Sequence, residues 1–255
     1  MELEGKKAVV VGGASGMARA TAASLVSGGA SLAILDRPTS KGAEAAAELG
    51  HGTTFHPCDV TDAAGTEEAL AAAIESLGTI HIAVNTAGGG LSKRTVSKDG
   101  PMELDFFTGI VELNLIATFN LNRLQAWQMS KNDPDSGDER GVIINTASIA
   151  AFEGQIGQVA YSAAKGGLVG MTLTMARDLG SLGIRVLTIA PSLFATGLTQ
   201  GIPDDMAKDL VRDSAFPRRL GRPEEYAKLA LSIIDNPMLN GTTFRLDGGT
   251  RFSPK

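Results

Sequence analysis

Short apolar runs alternate along the chain with longer stretches in which apolar residues recur at helical spacing. The runs at 8–11, 32–35, 80–84, 142–145 and 184–189 are apolar nearly throughout, which is typical of parallel strands covered on both faces. Weaker strand patterns lie at 53–56 and 242–246, and helices are predicted at 17–27, 43–49, 66–77, 102–129 and 161–179. The alternation predicts an α/β fold: one Rossmann-type domain over residues 1–255, with a doubly wound parallel sheet in three α/β/α layers.

Composition and charge narrow the classes of function. The formal net charge of −5 argues against a nucleic-acid surface, which needs clustered Lys and Arg. Cys58 is the only cysteine, so no intrachain disulfide can form, and burial in the core is a more ordinary role for it than nucleophilic catalysis. The first residues lack the apolar stretch of a signal peptide, and no apolar run approaches the ~18 residues of a membrane span. We therefore expect a cytoplasmic protein without nucleic-acid or membrane partners.

A glycine-rich turn, GGASGM at 12–17, follows the first predicted strand and opens the first helix. Glycines let a backbone approach a pyrophosphate, and a helix N-terminus offers it unpaired N–H groups, so Gly12, Ser15, Gly16 and Met17 are candidate cofactor ligands. The N-terminal half is therefore predicted to bind a dinucleotide.

Asp36 closes the second predicted strand, 20 residues beyond Gly16. A carboxylate at that position can accept hydrogen bonds from the adenosine ribose of NAD and would repel the 2′-phosphate of NADP. Two alternatives stay open: Asp36 could be a helix cap or a solvated acid, and the neighbouring Arg37 could pair with a 2′-phosphate.

Tyr161 and Lys165 stand four residues apart in a predicted helix, which places them on one face of it. An ammonium close to a phenol favours the phenolate, so we expect Lys165 to lower the pKa of Tyr161. Such a pair alone is usually a surface pair. Ser148 strengthens the catalytic interpretation because it follows strand 142–145, at the sheet edge where open α/β folds bind ligands.

These motifs and three others occur in the order typical of one family: Asp59-Val60, Asn85-Thr86-Ala87-Gly88 and Asn114. Along essentially its whole length the sequence resembles the short-chain dehydrogenase/reductase family. The stretch 141–191, with residues 132–135 and 245–248, is most similar to that family's 3-hydroxyacyl-CoA and 17β-hydroxysteroid dehydrogenases. The resemblance implies an NAD-dependent oxidoreductase acting on a secondary alcohol or ketone, assembled as a homotetramer.

The resemblance also implies a role for each matching residue. Tyr161 would exchange a proton with the substrate oxygen that Ser148 holds, Lys165 would also bind the nicotinamide ribose, and Asn114 would support a water chain from Lys165 to solvent. Substrate contacts are implied for Ser148, Gln155 and Gln158. The residues implied to line the cofactor are Asp59, Val60, Asn85, Thr86, Ala87, Gly88, Tyr161, Lys165, Phe194 and Thr196. No metal is expected, since the three histidines lack ligand-like spacing: His51, His56 and His81.

Three positions depart from the family's pattern. Val11 replaces a threonine whose hydroxyl ties the turn to the neighbouring strand, Ala18 replaces a third glycine, and Ser192 replaces the glycine after Pro191. A serine with positive φ would be strained, so we expect some loss of cofactor affinity from these changes but intact chemistry.

The loop 89–101 and the segment 193–216 are predicted to frame the substrate pocket. Lys93, Arg94 and Lys98 could attract the phosphates of a CoA thioester, although solvated loop charges are an equal alternative. A hydroxysteroid or another secondary alcohol stays open as substrate. A different class, a binding or scaffold protein on the same fold, is less favoured because fold alone would not require the full catalytic set.

Overall fold

The computed structural model describes residues 1–196 and 211–254. Seven parallel strands form one sheet in the order β3-β2-β1-β4-β7-β8-β9. These strands are β1 (Lys7–Val11), β2 (Ser31–Asp36), β3 (Thr54–Pro57), β4 (Ile82–Asn85), β7 (Gly141–Thr146), β8 (Ile184–Pro191) and β9 (Thr243–Leu246). The short strands β5 (Val96–Ser97) and β6 (Gly100–Pro101) form an antiparallel ribbon.

Helices cover both faces of the sheet. They are α1 (Gly16–Ser27), α2 (Gly42–Leu49), α3 (Ala63–Leu77), α4 (Leu104–Val111), α5 (Ala117–Met129), α6 (Ala150–Glu153), α7 (Val159–Gly180) and α8 (Pro223–Asp235). Alternate residues of β1 point to opposite layers: Val10 belongs to the apolar cluster that includes α1 and α8, whereas Val9 and Val11 belong to the cluster with α3 and α5. The predicted Rossmann-type three-layer fold is confirmed.

Besides the short helix α6, which the sequence did not predict, the structure differs from the predicted elements in two longer helical regions. The helix expected at 102–129 is divided by a π-helical turn, Glu112–Ile116, between α4 and α5. Helix α8 was missed, although its start carries a recognisable signal. Pro223 occupies the first turn, and the Glu225 carboxylate accepts a hydrogen bond from the Arg222 backbone N–H at 2.8 Å.

The helical stretch Leu104–Met129 contains an 18-residue window with a mean hydropathy of 1.3, so by length and composition alone it could cross a membrane. It is not an uninterrupted apolar run, because Asp105, Glu112 and Arg123 lie within it. The stretch nevertheless buries the polar side chains of Asn114, Asn122 and Gln125 inside the protein, and α4 packs against α7. We interpret it as a helix of the α/β fold with an apolar outer face.

The sheet topology determines where a site can form. All seven strands of the main sheet run parallel, so their carboxyl ends lie along one edge. From β1 the sheet order continues to β2 on one side and to β4 on the other, which creates the crevice where open α/β sheets bind ligands. The segments that follow β1, β4, β7 and β8 along the chain therefore meet at this edge.

Candidate active site

The glycine turn after β1 has a backbone that only glycine adopts easily. Gly12 and Gly16 have φ of +84° and +56°. A Cβ on Gly12 would lie 2.7 Å from Thr86 Oγ1, so a side chain there would collide with the loop after β4. Ser15 precedes α1 without capping it through its side chain, so it leaves the N–H groups of the first turn of α1 open to another acceptor. The turn therefore fits a phosphate group at the start of α1.

Asp36 lies at the end of β2 beside this turn. Its Oδ2 accepts a hydrogen bond from the Ala14 backbone N–H at 2.9 Å, and its Oδ1 accepts one from the Arg37 N–H at 2.7 Å. Asp36 does not cap α2, which begins after Lys41. The carboxylate thus stands where the adenosine end of a dinucleotide bound to the glycine turn would reach.

The loop after β4 compensates for one departure from the family's pattern. The Thr86 hydroxyl donates to the Val11 carbonyl oxygen at 2.9 Å, and the Thr86 backbone N–H donates to the same oxygen at 3.0 Å. The hydroxyl absent from position 11 is therefore supplied by Thr86 from the neighbouring strand end. The loss of cofactor affinity expected from Val11 stays a prediction.

The Asn85 side chain lies in a buried network of amide groups at the end of β4. Its amide Nδ2 lies 2.9 Å from the side-chain oxygens of both Asn122 and Gln125 and 3.1 Å from that of Asn145. All four amides are buried, and Gln125 also donates back to Asn85 at 2.8 Å. The Asn85 side chain is thus fully engaged in joining β4, β7 and α5.

Gly88 makes room for two of the predicted catalytic side chains. A Cβ on Gly88 would lie 2.7 Å from Asn114 Oδ1 and 3.1 Å from Lys165 Nζ. Asn114 sits in the π-helical turn and is fully buried. Its Nδ2 donates to the Gly89 carbonyl at 2.7 Å and its Oδ1 accepts from the Gly89 N–H at 3.0 Å. Asn114 therefore fixes the loop after β4 next to Lys165, and π-helical turns are frequent at functional sites.

Ser148, Tyr161 and Lys165 meet at the carboxyl edge of the sheet, as predicted. The Ser148 side chain lies close enough to Tyr161 to lower the pKa of the Tyr161 hydroxyl. Lys165, 3% exposed, donates from Nζ to the Thr146 carbonyl oxygen at 2.8 Å, and its Nζ lies 5.6 Å from the centroid of the Tyr161 ring. Two hydroxyls and one ammonium group thus converge beside the loop that carries Gly88.

Burial shifts the pKa values of Tyr161 and Lys165. It raises the pKa of Tyr161, and the hydrogen bond with Ser148 only partly offsets that rise. The expected lowering of the Tyr161 pKa by Lys165 is therefore wrong for this structure, because desolvation disfavours the phenolate more strongly. Burial also lowers the pKa of Lys165 to about 8, so this ammonium can release its proton close to neutral pH.

The segment after β8 approaches the glycine turn from the other side. A Cβ on Gly16 would lie 3.1 Å from Thr196 Cγ2, and Phe194 is buried against Gly221. Ser192 is not strained: among the described residues only two non-glycine positions, His51 and Asp138, have positive φ. The predicted frame at 193–216 is described for 193–196 and 211–216; the remaining positions lie outside the described residues.

The other predicted cofactor residues occupy different surroundings along this edge. Asp59 is exposed, and hydrogen bonds from the Thr61 side chain and backbone lower its pKa. Ala18, which replaces the third glycine of the family's pattern, is a buried residue of α1. Three residues pack on the apolar clusters beneath the site: Met17, Val60 and Ala87.

The predicted substrate residues are held by protein contacts. Gln158 Oε1 accepts a hydrogen bond from the Gln155 backbone N–H at 2.9 Å, and Gln155 Nε2 donates to the Ser253 carbonyl at 3.3 Å. Lys93 forms an ion pair with Glu103, so its charge is already partnered. Arg94 and Lys98 are exposed in the loop 89–101. The described residues contain no cluster of His, Cys, Asp or Glu that could hold a metal ion.

Sequence reasoning missed Thr146 and Tyr226. The Thr146 carbonyl accepts from Lys165, while its hydroxyl is hydrogen-bonded to the buried Tyr226 hydroxyl at 2.7 Å. Thr146 could have been inferred from its place at the end of β7, two residues before Ser148. Tyr226 lies on α8, a helix that periodicity had not predicted, and gave no comparable signal.

A doubly wound sheet with a glycine turn after β1 and a Ser148, Tyr161 and Lys165 group at its carboxyl edge defines a short-chain dehydrogenase. Residues 6–207 match the family described as short chain dehydrogenase. The chain therefore belongs to the short-chain dehydrogenase/reductase family, and it is an oxidoreductase acting on CH–OH groups. Dehydrogenases of this family generally use NAD(H).

Several similar proteins share the name 3-hydroxyacyl-CoA dehydrogenase type-2. Human (Homo sapiens) 3-hydroxyacyl-CoA dehydrogenase type-2 is 50% identical over 254 residues, which cover 99% of this chain and 97% of that protein. The Drosophila melanogaster protein of the same name is 46% identical, covering 96% of this chain and 97% of its own. The crystal structure of 3-hydroxyacyl-CoA dehydrogenase type-2 from Mycobacterium avium matches with a TM-score of 0.94 and 41% identity over 98% of both chains. The resemblance noted in the sequence is confirmed.

Proposed function

We propose that the protein interconverts (S)-3-hydroxyacyl-CoA and 3-oxoacyl-CoA thioesters, with NAD as its cofactor. The proposal is carried by one observation: Ser148, Tyr161 and Lys165 meet beside the glycine turn. The chain that places them there is 50% identical in sequence to human 3-hydroxyacyl-CoA dehydrogenase type-2. The CoA thioester as substrate is supported by the names of the relatives.

The preference for NAD rests on Asp36. Gly12 and Gly16 give the turn the positive φ values that let a backbone approach a pyrophosphate, and the Asp36 carboxylate stands next to this turn. A carboxylate there favours the ribose hydroxyls of NAD and repels a 2′-phosphate. The Arg37 side chain is exposed beside it and is the competing feature. Asp36 would hold the adenosine ribose, the start of α1 the pyrophosphate, and Lys165 the nicotinamide ribose.

The side chains supply the proton chemistry and the positioning. A nicotinamide held beside Lys165 would supply the hydride acceptor for oxidation and the hydride donor for reduction. Ser148 holds the substrate oxygen. Tyr161 takes the proton from that oxygen as a phenolate during oxidation and returns it from its hydroxyl during reduction. Lys165, with a pKa of about 8, can exchange this proton further near neutral pH.

Two substrate alternatives and one other class of function are distinguished by a panel assay. Formation of NADH from NAD, or of NADPH from NADP, is measured with a 3-hydroxyacyl-CoA, a hydroxysteroid and a small neutral secondary alcohol. We expect the highest kcat/KM for the thioester with NAD. Turnover of the steroid or the small alcohol alone would refute the thioester as substrate but retain the dehydrogenase. NADH binding without turnover of any alcohol would support the scaffold alternative.

The assembly we propose is a homotetramer in the cytoplasm. The helical stretch Leu104–Met129 has only 28% of its most apolar window buried within one chain. Large apolar side chains stay exposed on α5 and at the end of the preceding turn: Ile116, Phe119 and Trp127. A second copy of the chain is the partner that such a face fits, and light scattering of the purified protein tests the number of subunits. An apolar patch of this kind favours protein contacts over solvent.

A further inference from the structure

Residues 245–254, which we call the bridging segment, lie between two stretches on the substrate side of the site. On one side they contact residues 153–157, which connect α6 to α7 and lie between Ser148 and Tyr161 in sequence. On the other side they contact residues 211–216. None of these contacts involves the reacting groups.

The first set of contacts holds residues 153–157. The Arg245 guanidinium forms a two-pronged ion pair with the Glu153 carboxylate. The Ile156 backbone N–H donates to the Pro254 carbonyl oxygen at 3.1 Å, and Gln155 Nε2 donates to the Ser253 carbonyl oxygen at 3.3 Å. Both ends of the bridging segment therefore reach this connection.

The second set of contacts holds residues 211–216. Asp213 Oδ2 accepts a hydrogen bond from the Ser253 backbone N–H at 3.0 Å, which also lowers the pKa of Asp213. The hydroxyls of Ser214 and Thr250 are 2.8 Å apart and both residues are buried. Ser253 thus binds Asp213 through its N–H and Gln155 through its carbonyl oxygen.

The bridging segment is itself braced. Arg245 Nε donates to Asp247 Oδ2 at 2.7 Å, and Arg245 Nη2 donates to the Thr250 carbonyl oxygen at 2.9 Å. Asp247 Oδ1 accepts from the Gly249 N–H at 2.9 Å. These bonds brace the turn at 245–250 against deformation.

The loop 89–101 also depends on the connection that the bridging segment holds. The Lys93 backbone N–H donates to the Gly157 carbonyl oxygen at 2.9 Å. A Cβ on Gly157, whose φ is +89°, would lie 3.3 Å from the Ser92 Cβ. Three stretches around the substrate side are therefore linked in series: the loop 89–101, residues 153–157 and residues 211–216.

We propose that the bridging segment fixes these three stretches relative to one another, and that Asp213 and Glu153 are positioning residues for the substrate. The proposal rests on the proposed function for its kinetic consequence only. Neither residue touches the predicted catalytic or cofactor groups in the described structure, so both should act on substrate binding rather than on the chemical step.

The first experiment measures coupling without any substrate. Amide hydrogen exchange at Ile156 is compared in the wild type, Asp213→Ala, Asp213→Asn and the control Asp62→Ala. Asp62 likewise accepts one backbone N–H, from Gly65 at 3.1 Å, but it caps α3 far from the bridging segment. We expect Asp213→Ala to accelerate exchange at Ile156 by about tenfold, and Asp213→Asn, which keeps an acceptor oxygen, to restore most of the protection.

The control separates coupling from a general loss of stability, because Asp62→Ala removes a helix cap and should leave exchange at Ile156 unchanged. Unchanged exchange at Ile156 in Asp213→Ala would overturn the proposal. The reciprocal variant, Glu153→Gln, should accelerate exchange at Ser253, and it provides the same test if Asp213→Ala does not fold.

The second experiment measures kinetics with NADH and a 3-oxoacyl-CoA. We expect Asp213→Ala to raise the KM for the thioester about fivefold or more, with kcat and NADH affinity within about twofold of the wild type. Faster exchange at Ile156 with an unchanged KM would refute the positioning role. If the wild type ignores every thioester, the proposed function fails, and the exchange data alone then decide whether the segment couples the three stretches.

Discussion

Replacing Lys165 by Met removes an ammonium group that loses its water on folding. Burial lowers the pKa of Lys165 from its ordinary 10.5 to about 8. One pH unit of difference between the folded and unfolded pKa is worth about 1.4 kcal/mol, so the charged side chain costs the folded wild type about 3 kcal/mol below pH 8. Between pH 8 and 10.5 the unfolded chain keeps the proton that the folded chain has lost. Wild-type stability should therefore gain this amount as the pH rises, and Lys165→Met should lack the gain.

Urea unfolding at a series of pH values from neutral to about pH 10 gives the free energy of unfolding of both proteins. The quantity that reports the effect is the value for Lys165→Met minus the value for the wild type. We expect this difference to fall by roughly 3 kcal/mol across the window. The exposed Lys41 gives a matched control, since Lys41→Met should differ from the wild type by a constant amount. A pH-independent difference for Lys165→Met would refute the reasoning that burial controls this lysine.

Three further predictions concern the cofactor and the substrate. Asp36→Ala should reduce the preference for NAD over NADP by about 1–3 kcal/mol, measured as the ratio of kcat/KM values; equal use of both cofactors by the wild type would instead favour Arg37. Gly88→Ala should lower turnover and NADH affinity because its Cβ would collide with catalytic side chains, whereas Gly170→Ala, whose Cβ meets nothing within 4 Å, should not. Neutralising Arg94 and Lys98 should raise the KM of a thioester but not of a small neutral alcohol, and a parallel rise for both would contradict a role in binding phosphates.

The strands of the sheet could be predicted because each one gives a local signal, a short run of apolar residues. The strands β1, β2 and β8 are buried on both faces, so each must be apolar nearly throughout. The π-helical turn at Glu112–Ile116 was not predictable, because one extra residue in a helical turn leaves the apolar spacing almost unchanged. The start of α8 depends on Pro223 and Glu225, which periodicity does not register.

The candidate site was predictable where a residue type is itself the signal. Gly12 and Gly16 could be predicted because the turn needs positive φ, which favours glycine. Tyr161 and Lys165 could be predicted because a spacing of four residues places them on one face of α7. Their protonation was not predictable, because it depends on how deeply the fold buries them. Distant partners were equally hidden: nothing in the sequence near Asp213 indicates that it meets Ser253.

The most direct test of the central claim is the turnover of Tyr161→Phe, followed by NADH absorbance with a 3-oxoacyl-CoA as substrate. The substitution keeps the ring and removes only the hydroxyl that exchanges the proton. We expect kcat to fall by at least ~10²-fold, while folding and NADH binding stay at wild-type levels. Turnover close to that of the wild type would contradict the assignment of Tyr161 as the acid/base and, with it, the mechanism proposed for this protein.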